Sequence, residues 1–481
     1  MAKKIVNLMH PNIALIILVF IGTLLRFRGV DRSLNEMFSF RQTQTAWGAK
    51  SILNFDAKFL HPEVPVLGPP FEIPFEFPLF QWLHVIFSKI FEEDIDKSGR
   101  ILALLIFQCA VIMTYLIVRN LFNATVGVLV AFVVEFNSFN VQWGFAVLID
   151  YLSVLLFLLG IYFILKNRFQ RNYLLIGLSL ITIATCVKLT TYVVFIPLII
   201  YILSNKVIKH KIQIMLIFVA NPIIFSYLWS VYADSIKNDN PYTVWLMSKN
   251  LISWNFGTIS QRLDPPTYLR LINRHEDLIL GIPLLLVVVL VLFYFNNELI
   301  SKKHKWLTLS LILGSILGPI VFINLYFVHD YYMIGNNIIV STIVVVVIYN
   351  LIRLYSKRFF RLQTIFLLTF CVFSTWVSPL GIDYFYNLAS KPEDGERSKM
   401  LNSNTKESDL ILALGCNGWD PTLFYYADRR GHMKLNSEEE PQNFNKYSAI
   451  IKCNDNKWED SGNWIQLSDW KIINSELLVR K

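Results

Sequence analysis

Residues 101–118 read ILALLIFQCAVIMTYLIV, a run without a single charged side chain. A helix rises 1.5 Å per residue, so about 20 such residues cross the hydrocarbon core of a bilayer. Similar runs recur along the 481-residue chain, in which 54% of residues are hydrophobic and only 16% are charged. Because soluble chains carry about 25% charged residues, this composition argues against an ordinary soluble enzyme and predicts a polytopic α-helical membrane protein.

Eleven apolar stretches predict about eleven transmembrane helices. With the N-terminus inside, the inner connections hold 16 basic residues and one acidic residue, whereas the outer segments hold 25 basic and 31 acidic residues. The positive-inside rule therefore places the N-terminus inside and the C-terminus outside. The net charge of +9 is thus an orientation signal, and nucleic acid is not predicted as a partner. The predicted helices cover residues 12–26, 101–118, 123–136, 147–165, 173–187, 190–204, 212–232, 278–295, 306–325, 333–350 and 363–379.

Six ionisable residues fall at the predicted outer ends of these helices. Charges at membrane depth are costly and usually pair with one another or line a cavity, although each one alone could also extend its side chain to the interface. Because all six lie at the same face, we expect a charge-balanced polar cavity that opens outward. They are Arg26, Arg100, Glu135, Asp150, Lys188 and Asp330.

The remaining sequence predicts two domains, a membrane domain over 1–379 and a soluble extracytoplasmic domain over 380–481. The membrane domain includes a large first outer loop, 27–99, whose prolines between 64 and 82 exclude a long helix there. Apolar periodicity in this loop instead predicts two interface helices, over 42–54 and 79–91.

The C-terminal domain is predicted to be α/β. Apolar runs at 410–414 and 447–451 indicate buried strands, and 421–427 indicates the start of a helix with Asp420 as its N-cap. Cys416 and Cys453 each follow one of these strands. Neighbouring parallel strands would bring the two thiols together, and an oxidising outer compartment permits a disulfide.

Several motifs of the first loop and of the helix ends resemble bacterial membrane glycosyltransferases of the GT-C fold. The most similar group is the family 39-like one, related to protein O-mannosyltransferases and to the lipid A aminoarabinose transferase. The stretch from Asp420 to Gly431 also looks like this group. The other matching residues are 40–46 (FRQTQTA), 66–70 (VLGPP), 76–82 (EFPLFQW), Gly99-Arg100, Asp150, Lys188 and 329–332 (HDYY).

The resemblance implies a hexosyl- or pentosyltransferase in the bacterial plasma (inner) membrane. Such an enzyme takes a sugar from a polyprenyl-phosphate donor held among membrane lipids and transfers it, at the outer face, to an envelope glycan, lipid or protein. The chain departs from many relatives at two positions of the first loop. Gln44 stands where they carry an acid, and Glu76 falls in a motif where they often carry a lysine.

Transfer from a phosphate leaving group needs a base for the acceptor proton and cations or donors for the phosphate. For the base we favour Glu76 and Asp150, with Glu36 and Asp330 as further candidates. No cofactor is assigned, and a divalent metal shared by two carboxylates stays an alternative. Substrate binding is assigned to Arg41, Gln42, Gln44, Arg100, Lys188, His329, Asp330, Tyr331 and Tyr332.

Two other classes of membrane protein stay open at this point. A polysaccharide polymerase or ligase usually has its large arginine-rich loop late in the chain, whereas here the elaborated loop comes first. A lipid-linked sugar transporter tends to show inverted repeats and interrupted helices near the midplane, whereas here the ionisable residues lie at one face.

Overall fold

The structure is a computed structural model that describes residues 10–166, 169–204, 208–278, 284–355, 360–377, 392–416, 418–434, 444–453 and 465–481. The chain divides into two compact units. The helical unit comprises Met1–Asp31, Arg100–Ser230 and Lys249–Asn387. The mixed unit comprises Arg32–Gly99, Val231–Ser248 and Leu388–Lys481.

Each predicted span corresponds to a helix, within a few residues at each end; residues 279–283 and 378–379 of these spans lie outside the described residues. Among the described residues, four helices are long and apolar enough to cross a membrane by themselves: Ile95–Leu121, Lys211–Lys237, Lys302–Val321 and Asp330–Leu354, whose first turn is 3₁₀. The number eleven and the orientation stay predictions. The other helices from Pro11 to Val377 outside the mixed unit are Pro11–Phe27, Ala124–Phe136, Ser138–Trp143, Asp150–Lys166, Arg171–Val187, Leu189–Leu203, Ile252–Phe256, Ile259–Leu263, Pro265–Leu278, Leu284–Asn296, Ile323–Val328 and Phe360–Val377.

Small residues allow two of these helices to approach closely. A methyl group added to Gly160 would lie 2.9 Å from the main-chain oxygen of Gly177, and one added to Gly177 would lie 3.0 Å from that of Gly160. Helices Asp150–Lys166 and Arg171–Val187 therefore pack backbone against backbone. Such contacts favour helix association in lipid, where hydrophobic burial contributes little.

The C-terminal part of the mixed unit contains a five-stranded sheet, as the predicted α/β domain requires. The strands are β1 (Leu410–Leu414), β2 (Arg430–Lys434), β3 (Ala449–Lys452), β4 (Trp470–Ile472) and β5 (Leu477–Arg480), in the order β2-β1-β3-β5-β4. Strand β1 pairs in parallel with β2 and β3, and the remaining pairs are antiparallel. The unit's helices are Ser39–Asn54, Leu79–Phe91, Pro392–Asn404 and Thr422–Ala427, with 3₁₀ turns at Val244–Leu246, Phe444–Lys446 and Leu467–Asp469.

Local predictions for this unit hold with small shifts. The predicted interface helices 42–54 and 79–91 are both helical, strand β1 has the predicted bounds, and β3 begins two residues later than predicted. Pro421, rather than Asp420, occupies the N-cap position, yet the Asp420 carboxylate still accepts a hydrogen bond from the Thr422 N–H at 3.0 Å. The Cys416–Cys453 disulfide is confirmed, with Cα atoms 4.9 Å apart.

The first loop is part of the sheet's unit. Gly68 N–H donates to Gly431 O at 2.8 Å, and Met433 N–H donates to Val66 O at 2.8 Å, so the loop pairs with the free edge of β2. Val66 is fully buried in the same apolar core as β1. Pairing satisfies an edge that would otherwise expose backbone donors and acceptors. These units differ from the predicted domains 1–379 and 380–481, whose separate folding stays a prediction.

Candidate functional site

A buried ion pair joins Lys188 and Asp150 in the helical unit. Lys188 lies between helices Arg171–Val187 and Leu189–Leu203, and Asp150 is the first residue of its helix. The Lys188 Nζ lies 2.7 Å from Asp150 Oδ1, and the side chains are 4% and 3% exposed. A carboxylate is favoured at a helix N-terminus by the helix dipole.

Two tyrosine rings lie against the Lys188 ammonium. Its Nζ is 4.2 Å from the ring centroid of Tyr332 and 5.1 Å from that of Tyr331, both on the 3₁₀ turn Asp330–Met333. The His329 ring stacks on Tyr331 with centroids 5.2 Å apart. Within the described ranges, Asp150 is the only ionic partner of Lys188, and Asp150 Oδ2 accepts no hydrogen bond. A buried cation with so few polar partners can accept an anionic ligand.

A second buried pair in the helical unit, Arg26–Glu135, is coordinated very differently. Arg26 Nη1 donates to Glu135 Oε1 at 2.5 Å and to Gly22 O at 3.0 Å, and its Nη2 donates to Glu135 O at 2.6 Å. The guanidinium also lies 4.3 Å from the Phe107 ring centroid, and Gln108 donates to Glu135 Oε1 at 3.0 Å. At least four of the six charges predicted at outer helix ends therefore pair with one another.

The mixed unit holds the other group of predicted site residues. Arg41 and Glu76 form an ion pair, in which their side chains are 11% and 31% exposed. Arg41 Nη1 also donates to Gln44 Oε1 at 3.0 Å. Gln42 instead donates to Glu36 Oε1 and to Met37 O, both at 3.2 Å. Gln44 thus orients the arginine that pairs with Glu76.

The predicted residues form two groups in the structure. Asp150, Lys188, His329, Tyr331 and Tyr332 lie together, and Arg41, Gln44 and Glu76 lie together, with Gln42 bound to Glu36 beside them. Arg100 is fully buried, with its guanidinium 5.0 Å from the Phe145 ring centroid. That all of these side chains meet in one cavity stays a prediction.

Comparisons with known proteins give the fold its name. A family model described as dolichyl-phosphate-mannose-protein mannosyltransferase matches residues 72–232, less than half of the chain. No curated protein is a significant match in sequence. ArnT from Cupriavidus metallidurans bound to undecaprenyl phosphate is similar in structure, with a TM-score of 0.58 and 10% identity over 87% of this chain and 85% of that one. The fold is GT-C.

Two further structures share this GT-C fold. Archaeal oligosaccharyltransferase AglB from Archaeoglobus fulgidus, in complex with an inhibitory peptide and a dolichol-phosphate, has a TM-score of 0.55 and 11% identity, over 91% of this chain and 69% of that one. ArnT from Cupriavidus metallidurans in the apo state has a TM-score of 0.51 and 10% identity over 97% of both chains. The resemblance predicted from the sequence is thereby confirmed at the level of the fold.

The GT-C helical unit also contains ionisable residues that sequence reasoning missed. Burial raises the pKa of Asp277 to about 6; the neighbouring Asp330 and Glu276 add to this effect, and Arg274 opposes it. Arg274 Nη2 donates to Phe327 O at 2.9 Å, two residues before His329. The sequence feature that could have pointed to these residues is the charged run 274–277 (RHED), which comes directly before a predicted span.

Metal ligation was left open by the sequence. Over the residues that the structure describes, no group of three or more His, Cys, Asp or Glu side chains has the geometry to hold a metal ion. The carboxylates of both candidate bases instead contact cations of the protein.

Proposed function

We propose that this protein is a glycosyltransferase that moves a hexose or pentose from a polyprenyl-phosphate donor to an envelope glycan, lipid or protein. Support comes from the GT-C fold, from the matched mannosyltransferase model and from the lipid phosphates bound by the similar structures. The observation that carries the proposal is the buried Lys188 ammonium, whose partners within the described residues are one carboxylate and two ring faces. A phosphate oxygen would complete its coordination.

The two candidate bases differ in how an acceptor could reach them. The Glu76 side chain is 31% exposed, whereas that of Asp150 is 3% exposed. An acceptor hydroxyl can approach the former without rearrangement. We therefore assign proton removal to Glu76 and the placement of Lys188 to Asp150.

The proposed reaction is a single displacement at the anomeric carbon. The acceptor oxygen forms the new bond to that carbon, and its proton passes to the Glu76 carboxylate. The bond from the anomeric carbon to the phosphate oxygen breaks, and the electron pair leaves on polyprenyl phosphate. Fixed cations stabilise developing charge in a water-poor site, and Lys188 of the helical unit and Arg41 of the mixed unit are our two candidates for holding the phosphate as its charge grows. A carboxylate released from Arg41 by an incoming phosphate would also be a stronger base.

We further propose that the chain is a multi-pass protein of the bacterial plasma membrane, with about eleven spans, an inner N-terminus and an outer C-terminus. The bias of basic residues supports this orientation. The Cys416–Cys453 disulfide supports an oxidising location for the sheet. Reporter fusions after Lys211 and after Lys481 should read cytoplasmic and extracytoplasmic, respectively.

Reconstituted transfer tests the enzymatic proposal. The protein in lipid vesicles receives a radiolabelled polyprenyl-phosphate sugar and an extract of envelope lipids and glycans, and transfer of label is followed with and without EDTA. Glu76→Gln should abolish transfer while leaving binding of polyprenyl phosphate intact. Lys188→Met should abolish transfer and also weaken binding of polyprenyl phosphate. Lys302→Met, at an exposed lysine that begins a helix, is the matched control.

The outcomes separate the possible errors in the assignment. An active Glu76→Gln protein with an inactive Asp150→Asn protein would move the base to Asp150. Activity in both variants would remove the chemical support for glycosyl transfer. Mass spectrometry of the envelope with and without the gene would identify the sugar and the acceptor. Loss of transfer in EDTA would show that a metal takes part.

A further inference from the structure

Residues 418–428 of the mixed unit, which we call the docking segment, link the C-terminal sheet to the Arg41–Glu76 pair. The segment begins two residues after Cys416 of the disulfide and contains helix Thr422–Ala427. Two of its side chains contact the elements that carry this pair. Trp419 contacts the loop of Glu76, and Tyr425 contacts the helix of Arg41.

Glu76 lies between two anchored aromatic residues. The Phe75 ring meets Trp419 edge to face, with centroids 5.5 Å apart and an angle of 86°. On the other side, the Phe77 ring meets Trp82 with centroids 5.0 Å apart and an angle of 72°. Such aromatic pairs contribute beyond their buried area. The main chain of Glu76 is thus held from both sides, and one of the two anchors is a residue of the docking segment.

Arg41 lies on helix Ser39–Asn54, which the docking segment holds through Tyr425. Lys50 Nζ donates to the main-chain oxygen of Tyr425 at 2.9 Å and lies 4.5 Å from its ring centroid. Trp47 meets the same ring edge to face at 6.4 Å. Positions 47 and 50 share a helix face because they are three residues apart. One tyrosine therefore fixes this helix through its ring and its carbonyl.

The hydroxyl of the same tyrosine reaches a third element. Tyr425 donates to Asp96 Oδ1, and Tyr426 donates to Asp96 Oδ2 at 2.9 Å, while Leu34 N–H donates to the Tyr426 hydroxyl at 2.6 Å. Burial raises the pKa of both tyrosines, and the Asp96 charge raises it further. Both hydroxyls therefore remain neutral donors at physiological pH. The carboxylate sits in the first turn of helix Ile95–Leu121, where negative charge is favoured.

The sheet has sources of stability other than these polar contacts. The sheet has an apolar core on each face and the Cys416–Cys453 disulfide. A phenylalanine at position 425 would fill nearly the same volume without burying a hydroxyl against a carboxylate. Buried polar contacts fix relative position more strictly than apolar packing, because misplacement leaves a polar group unpaired.

We propose that Trp419 and Tyr425 are positioning residues, which set Glu76 and Arg41 in the geometry needed for sugar transfer. The C-terminal sheet would then take part in catalysis through the docking segment without contacting the sugar. This inference rests on the proposed function for its kinetic consequences. Its structural consequence, restraint of helix Ser39–Asn54 and of the 71–78 loop, is independent of that function.

Kinetics of the full-length protein in lipid vesicles test the effect of Tyr425 on Arg41 and the effect of Trp419 on Glu76 separately. Tyr425→Phe should raise the donor KM about tenfold with a smaller change in kcat, because without the hydroxyl contact to Asp96 the ring that packs on the helix of Arg41 is free to shift. Trp419→Ala should lower kcat about tenfold, because it loosens the base, and Trp419→Phe should recover most of the loss. Tyr447→Phe is the matched control, since this hydroxyl is also buried and, among the residues that the structure describes, its hydrogen-bond partner is His432 Nδ1, at 3.4 Å.

A double variant tests whether Tyr425 acts through Arg41. In an Arg41→Lys background, Tyr425→Phe should cost less than about threefold in kcat/KM, because two changes that act through one group are not additive. A full tenfold cost in that background would overturn the proposal. So would kinetic changes no larger than those of Tyr447→Phe in either single variant.

Hydrogen exchange separates failure of this inference from failure of the proposed function. Tyr425→Phe should speed amide exchange in 39–54, and Trp419→Ala should do so in 71–78, whereas Tyr447→Phe should do neither. If the wild type transfers no sugar, the proposed function fails, and faster exchange in these segments still supports the positioning role. Unchanged exchange in both segments overturns it, whatever the activity.

Discussion

Breaking the Arg26–Glu135 pair should be among the most destabilising single changes in the helical unit. Both side chains are fully buried. Arg26→Met leaves the Glu135 carboxylate buried, and Gln108 is then its one side-chain donor among the described residues. Removing one partner of a buried pair costs about 3–5 kcal/mol. It also leaves the Gly22 and Asn140 carbonyls without the arginine N–H groups. We expect a loss of about 4 kcal/mol in the free energy of unfolding.

The double variant Arg26→Met/Glu135→Leu supplies the decisive comparison. It removes both charges together, and apolar replacements of buried ion pairs are often neutral or stabilising. Since the carbonyl contacts are still lost, we expect a net cost of about 1–2 kcal/mol. The coupling between the two positions should therefore exceed about 2 kcal/mol, as a double-mutant cycle measures it.

Equilibrium unfolding in mixed micelles, followed by tryptophan fluorescence, provides the measurement. Arg119→Met is the control, because this arginine is exposed on the helix that also carries Gln108, and it should change stability by less than about 0.5 kcal/mol. A cost below about 1 kcal/mol for Arg26→Met, or a double variant as costly as the sum of the single ones, would refute the assignment of a coupled buried pair.

Three further predictions concern the Lys188 site, the disulfide and a buried histidine of the sheet. Lys188→Met should weaken binding of polyprenyl phosphate by about 10- to 100-fold, measured by titration with the lipid. Tyr332→Leu should weaken this binding less, since a cation–π contact contributes about 1 kcal/mol. Replacing Cys416 and Cys453 by alanine should lower the free energy of unfolding by about 2–4 kcal/mol, because the bridge closes a loop with a sequence separation of 37; an unchanged denaturation midpoint would contradict this. Burial lowers the pKa of His432 from 6.5 to about 4. Between these pH values the unfolded state binds more protons than the folded state, so the free energy of unfolding should fall by at most about 3 kcal/mol as the pH drops from 6.5 to 4. His432→Phe should flatten this pH dependence in thermal melts.

Local sequence patterns were sufficient to predict those features of the fold that depend on residues close together in the chain. Strand β1 was predicted with its observed bounds because five apolar residues in a row are typical of a strand buried on both faces. The disulfide followed from two cysteines at the ends of two such strands, once parallel pairing was assumed. The Asp420 cap was predicted one residue too early because the following proline takes the N-cap position.

Pairing between distant residues could not be predicted in the same way. Charges at helix ends were visible, but nothing in a single sequence indicates that Arg26 pairs with Glu135, which lies 109 positions away. The antiparallel bridge between Leu67 and His432 is a similar case. From its sequence, the proline-rich first loop looks like a surface connection. It pairs with β2 only because β2 lies at the edge of the sheet and, within the described residues, has no strand on its other side. That edge is set by the order β2-β1-β3-β5-β4.

Each of the two buried pairs of the helical unit joins a cation to a carboxylate. The two cations differ in how many hydrogen-bond acceptors they meet. The Arg26 guanidinium donates to Glu135 and to three main-chain carbonyls, so a ligand would have to displace contacts already made. Lys188 has three donor hydrogens, and across the described ranges one carboxylate is its only ionic contact. Desolvating an ammonium costs several kcal/mol, which a single ion pair offsets only in part. The ring faces of Tyr331 and Tyr332 offset part of the remainder, and the phosphate that we propose as a ligand would offset more. Arg26 has no need of such a ligand, because its N–H groups already meet protein acceptors.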